Sequence, residues 1–82
     1  MKLKPNIAIS DSGFLFNPFS GESYSLNPIG VQIIQLMKEG RSEEDIRNTI
    51  GKDYKIEPAT IERDIHDFFE MLNAYQLLED NE

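Results

Sequence analysis

An α+β fold, with a three-stranded antiparallel sheet followed by three helices in a winged-helix-like arrangement, is what this sequence predicts. Three observations carry the prediction. Apolar residues alternate with period two in residues 14–17 and 22–26, as half-buried strands require. Clusters of Gly, Pro, Asn, Asp and Ser separate those stretches. From Pro28 onward, apolar residues recur at helical spacing in three segments.

The first strand is expected at residues 5–10, where Ile7 and Ile9 alternate after Pro5. Asp11-Ser12-Gly13 is a turn signal. The second strand covers residues 14–17, with Phe14 and Phe16 alternating with Leu15. Asn17-Pro18-Phe19-Ser20-Gly21 then makes a turn, with Pro near its start and Gly where a positive φ is needed. The third strand covers residues 22–26, with Tyr24 and Leu26 alternating with Ser23 and Ser25. Connections this short make the sheet an antiparallel meander.

Asn27 supplies an N-cap side chain and Pro28 pre-sets the first helical residue. The first helix should run from Pro28 to about Glu39 and stop at Gly40. Ile29, Ile33, Leu36 and Met37 share one face, and Val31 and Ile34 lie nearly opposite. A helix apolar on two sides is buried on two sides, so it belongs between the sheet and the other helices.

Ser42-Glu43-Glu44-Asp45 resembles a capping box, with three acids placed to complement the helix dipole. The second helix is short, residues 43–51, with Ile46 and Ile50 inward. Tyr54 and Ile56 tack the following loop, residues 51–57, to the core. The third helix runs from Pro58 to about Tyr75. Ile61, Ile65, Phe68 and Leu72 form its core stripe. Phe69 widens that stripe on one side, and Asp64, Met71 and Tyr75 lie on the other. Leu77 and Leu78 follow as an apolar tail, and residues 79–82 are expected to fray. Neither repeats nor linkers are visible, so residues 1–82 read as one domain.

The 82 residues leave little surplus stability for a deep substrate cavity, which weighs against an independent enzyme. The absence of cysteine removes disulfides, iron–sulfur ligation and thiolate zinc sites. Met-Lys-Leu-Lys-Pro lacks a signal peptide's apolar run, and nothing approaches the roughly 20 apolar residues of a membrane span. A cytoplasmic location without membrane attachment is expected. The net charge of −7 is uneven, at +1 over residues 1–41 and −8 over residues 42–82. The acidic helical half would repel nucleic acid, whose binding rests on Lys and Arg neutralising phosphate.

Phosphate-binding glycine loops, paired histidines and a nucleophile elbow are missing, so no catalytic residue, metal ligand or cofactor is expected. His66, on the polar face of the third helix one turn after Glu62, reads as solvent-exposed. Asp64, Asp67 and Glu70 read as a solvated face, although Asp64 borders the apolar stripe and could cap an element or meet a ligand. Arg63, Lys52 and Lys55 offset acidic neighbours. Tyr24 reads as a core or sheet-face residue whose hydroxyl could reach an edge.

Gly21, Tyr24, Leu26-Asn27, Gly30, Ile33-Ile34, Leu36 and the closing helix from Pro58 to Leu78 together resemble the PqqD family, the pyrroloquinoline quinone biosynthesis protein D family or RiPP recognition element. The resemblance covers nearly the whole chain and includes an Asp at the position of Asp64. The chain departs from the family at Ile34, where an aromatic is frequent. It departs again at Tyr75-Gln76, where a Gly often precedes the final apolar pair. The resemblance implies a winged-helix-like, non-catalytic domain. Such a domain binds the leader segment of a ribosomally made precursor peptide and presents it to a modifying enzyme, often a radical S-adenosylmethionine enzyme. The peptide would add as a strand to the third strand and pack on the third helix.

The residues permit that mode independently. Three or four backbone hydrogen bonds along residues 23–26, at roughly 1 kcal/mol each, would not alone offset the ordering of a flexible peptide. Apolar anchors, at about 2 kcal/mol for each fully buried large side chain, must add the rest. The preferred lining is Glu22, Ser23, Tyr24, Ser25 and Leu26 facing Asp64, Phe68, Met71 and Tyr75. The other flank, Glu62, Phe69 and Asn73, stays open on periodicity alone. An exposed third-strand edge could also pair with a second copy of the chain. The competing readings are a winged-helix DNA-binding module, which would need a basic recognition helix, and a small enzyme, which would need convergent polar groups.

Overall fold

A computed structural model describes residues 2–79. Strands β1 (Ala8–Ile9), β2 (Phe14–Asn17) and β3 (Glu22–Ser25) form an antiparallel sheet in that order, followed by helices α1 (Pro28–Lys38), α2 (Glu43–Tyr54) and α3 (Pro58–Ala74). The α+β class and the meander are those the sequence predicts. The winged-helix comparison is a loose one, because all three strands precede all three helices.

The first strand is shorter than the expected residues 5–10. Pro5 and Asn6 turn, with Asn6 at φ +72°, so only Ala8 and Ile9 join the ladder. Ile7 is still buried, and its carbonyl accepts a hydrogen bond from Lys38 Nζ. Along β2, Leu15 and Asn17 face inward while Phe14 and Phe16 face out. Register aligns Ile9, Leu15 and Tyr24 across the inner face. Gly13, at φ +97°, joins this sheet to its exit. Its carbonyl accepts the Leu26 N–H at 2.7 Å, and a Cβ there would stand 2.9 Å from the Leu26 carbonyl oxygen. Only glycine combines that backbone with that approach.

The Asn27 side chain caps α1 by accepting the Gly30 N–H at 2.7 Å, and the helix stops before Gly40 at φ +82°. The helix is central, as its two apolar sides require. Lys38 reaches the segment before β1, Gln32 Nε2 donates to Asp53 of α2 at 2.8 Å, and Gly30 lies against Phe68 of α3.

Helix α2 runs to Tyr54, past the expected end at Gly51, and closes on Lys55 in the left-handed region at φ 53°. Gly51 lies inside the helix, where its carbonyl accepts the Ile56 N–H. Tyr54 therefore ends the helix on the solvent side and does not tack the loop down, whereas Ile56 packs against the core. Half of the expected capping box forms: Ser42 Oγ accepts the Asp45 N–H, while the Asp45 carboxylate turns to Arg41 at 3.9 Å.

The buried stripe of α3 is Ile61, Ile65, Phe69 and Leu72, with Phe68 half-buried at its edge. This exchanges the two phenylalanines relative to the expected stripe. The helix ends at Ala74, and Gln76 then adopts φ +60°, a conformation glycine occupies without strain. That reversal sends Leu77 and Leu78 into the core. The tail is held by an antiparallel bridge between Leu3 and Leu78, and by bonds from Lys4 N–H to Leu77 O and Glu79 N–H to Lys2 O, each 2.8 Å. Glu79 is thus tied down rather than frayed, and the same expectation for residues 80–82 lies outside the described residues. Among the described residues, no helix is long and apolar enough to cross a membrane.

Candidate functional site

Among the described residues, strand β3 pairs with β2 on one side only and is one of the two edge strands of the sheet. Which of its backbone groups are free follows from the register. Leu26 N–H is bonded to Gly13 O, and Phe14 stands opposite Ser25, Leu15 opposite Tyr24 and Phe16 opposite Ser23. An antiparallel ladder alternates bonded and non-bonded pairs. Tyr24 therefore exchanges hydrogen bonds with Leu15. The N–H and C=O of Ser23 and Ser25 point away from β2, toward the open edge.

Side chains alternate across the same strand. Ser23 and Ser25 lie on the outer face with Phe14 and Phe16, and Tyr24 and Leu26 turn toward the helices. Tyr24 stacks on Tyr75, with ring centroids 4.4 Å apart and planes 12° from parallel. Its hydroxyl donates to Glu22 Oε1 at 2.9 Å, and that carboxylate holds the phenol above its ordinary pKa. At the other end of the strand, Leu26 and Phe68 meet over Gly30. A Cβ on Gly30 would lie 3.3 Å from Leu26 Cβ and 3.2 Å from Phe68 Cε1. Gly30 thus sets how closely α3 approaches the end of β3.

The result is a shallow groove between the free edge of β3 and one flank of α3. Tyr24, Leu26, Phe68 and Met71 are half-buried along it, and Tyr75 is exposed at one end. Of the nine residues anticipated for the site, Tyr24 comes together with Tyr75 and Leu26 with Phe68, while Met71 is half-buried on α3 between Phe68 and Tyr75. Glu22 joins them at the Tyr75 end, where a depression of about 370 Å³ is lined by Glu22, Tyr24, Tyr75 and Gln76 together with Lys4 and Phe19. Ser23 and Ser25 contribute backbone, not side chains. Asp64 lies on the groove flank but is exposed, caps no element among the described residues, and has Arg63 Nε as an ionic partner at 3.9 Å. On the opposite flank, Phe69 is buried, leaving Glu62 and Asn73 without an accessible apolar neighbour between them.

Phe19, Lys4 and Gln76 are among the residues that line this depression without having been anticipated for the site. Phe19 is 66% exposed in the turn before β3, where an aromatic beside Asn-Pro carries no strand or helix signal. Lys4 arrives only because the two ends of the chain pair, which no local pattern reveals. His66 is exposed and lies 3.8 Å from Glu70 on the following turn rather than beside Glu62. Among the described residues, no group of three or more His, Asp or Glu could hold a metal ion.

Residues 13–78 match the family described as Coenzyme PQQ synthesis protein D (PqqD). Among solved structures, the chain is similar to TbiB1 in complex with the TbiA(beta) leader peptide, at 30% identity and a TM-score of 0.88, covering 100% of this chain and 99% of that one. It is also similar to lasso peptide synthetase B1 complexed with the leader peptide, at 28% identity and a TM-score of 0.83, covering 96% of each chain. No curated protein matches this chain.

Proposed function

The chain belongs to the PqqD family, and from that premise we propose that it is a non-catalytic adaptor that binds the leader segment of a ribosomally made precursor peptide and presents it to a modifying enzyme. The observation that carries the reading is the full-length likeness to two proteins whose structures hold leader peptides. The free β3 edge beside a half-buried apolar flank gives this chain a place for the same kind of guest.

The guest adds as a fourth strand. Its backbone meets the N–H and C=O groups of Ser23 and Ser25, four bonds at roughly 1 kcal/mol each. Alternate guest side chains turn inward against Leu26, Phe68 and Met71, and one reaches the depression beside Tyr24, Tyr75 and Glu22. Each inward apolar anchor adds about 2 kcal/mol when fully buried, which offsets the ordering of the peptide. The buried position of Phe69 favours this flank over the one carrying Glu62 and Asn73. Of the enzymes that could receive the peptide, a radical S-adenosylmethionine enzyme is implied by the family, while the lasso peptide synthetase neighbour favours a lasso-type partner. A cytoplasmic setting, where precursor peptides are made, belongs to the same proposal. The DNA-binding alternative is not favoured, since residues 42–82 carry a net charge of −8.

Isothermal titration with the synthetic leader of the precursor encoded nearest this gene tests the reading. Saturable one-to-one binding to the leader, and none to the remainder of the precursor, is expected. A leader that does not bind would refute it.

A further inference from the structure

The outer face of the sheet carries a feature that leader binding does not use. Phe14 and Phe16 are 53% and 42% exposed, side by side on that face. Their cross-strand neighbours are small: Ser25 opposite Phe14, and Ser23 and Ala8 on either side of Phe16. Among the described residues nothing covers the rings, and Asp11 is the sole charged residue in residues 8–21. This neutral apolar face contrasts with the acidic helical half.

Resting on the adaptor reading above, we propose that this face is where the modifying enzyme docks, and that the bound leader completes the docking surface. A guest strand beside β3 extends the same sheet. Its outward side chains therefore line up next to Ser23 and Ser25, continuous with Phe14 and Phe16. The two rings alone expose roughly 200 Å², given a full aromatic side-chain area of about 200 Å² each. A stable interface takes about 800 Å² from each partner. The exposed aromatic surface is thus about a quarter of what a stable pairing of two copies would take from each, and it grows only when a leader occupies the edge. The enzyme must act on the peptide that continues from that leader, so it meets both surfaces at once. Docking on the composite face makes the loaded adaptor the preferred partner.

The test uses the full chain, its Phe14→Thr/Phe16→Thr variant and a Phe16→Thr variant, with the synthetic leader and the purified modifying enzyme encoded nearest this gene. Threonine keeps strand propensity, and melting curves establish that each variant folds. The expected result has three parts. Leader affinity is unchanged in both variants. The enzyme associates with wild type only when leader is present. That association weakens by about tenfold or more in the double variant, as loss of aromatic hot-spot contacts does. Equal enzyme binding by wild type and the double variant would overturn the docking face and leave the adaptor reading standing. Loss of leader binding in the variants would also overturn it, as would a wild-type dimer, formed without leader, that the substitutions abolish. A leader that binds none of the three proteins would overturn both.

Discussion

Ser25→Pro separates the free edge from the ladder, because proline removes a single backbone N–H. In this register the Ser25 N–H faces the open edge, while the Tyr24 and Leu26 N–H groups bond to β2 and its preceding turn. Proline is tolerated on edge strands where the N–H faces solvent, and Tyr24 before it is already extended. The fold should therefore survive with a stability change of about 1 kcal/mol or less. The guest loses one hydrogen bond, worth about 1 kcal/mol, and leaves a carbonyl partly desolvated at a further cost of about 1 kcal/mol. The sum of about 2 kcal/mol corresponds to a Kd weaker by roughly 30-fold. Fluorescence anisotropy with a labelled leader reads the affinity, and a thermal melt reads the fold. Tyr24→Pro is the companion: it breaks a ladder bond and the stack on Tyr75, so it should fail in the melt. A Ser25→Pro protein that folds normally and binds leader with unchanged affinity would refute the assignment of the edge.

The remaining predictions concern the framework around that edge. Gly13→Ala places a side chain at φ +97° and 2.9 Å from the Leu26 carbonyl oxygen, so a loss of about 2 kcal/mol and a fall in Tm of about 10 °C are expected by calorimetry. Phe69→Ala opens a core cavity and should cost about 3–5 kcal/mol in chemical denaturation, whereas Phe68→Ala should cost less stability and weaken leader binding. Tyr24 should ionise above the ordinary phenol range, and Glu22→Gln should lower its pKa toward that range, read by ultraviolet titration against wild type. Because the folded pKa is raised, the stabilisation from this hydrogen bond is present below the unfolded tyrosine pKa and disappears as pH rises through the folded one.

How far the sequence carries depends on whether a signal is local. Asn27, Pro28 and Gly40 bracket α1 because capping and chain reversal are local events, and the structure has each in its role. Gly13 and Gly21 mark turns for the same reason, both with positive φ. Gly51 misleads because glycine is a weak stop when the preceding turns are anchored by Ile46 and Ile50. The true stop, Lys55, carries no glycine to announce it. The adjacent aromatics Phe68 and Phe69 fit a helical stripe almost equally, and only the packed core selects Phe69. Alternation identifies the two faces of β2 but not which is inside. Leu15 is inside because Ile9 and Tyr24 complete its row, leaving two phenylalanines in solvent. The pairing of Leu3 with Leu78, which brings Lys4 to the groove, joins residues at opposite ends of the chain and has no local signature. Most of the proposed site is legible in the sequence, because its residues come from one strand and one helix whose periodicities are clear.

Amide hydrogen exchange by NMR, with and without leader, tests strand addition most directly. In the free protein, Tyr24 and Leu26 should be protected by their bonds to Leu15 and Gly13, while Ser23 and Ser25 exchange with solvent. Leader binding should protect Ser23 and Ser25 and leave the other two as they were. A leader that binds while the Ser23 and Ser25 amides keep exchanging at their free rate would contradict the account.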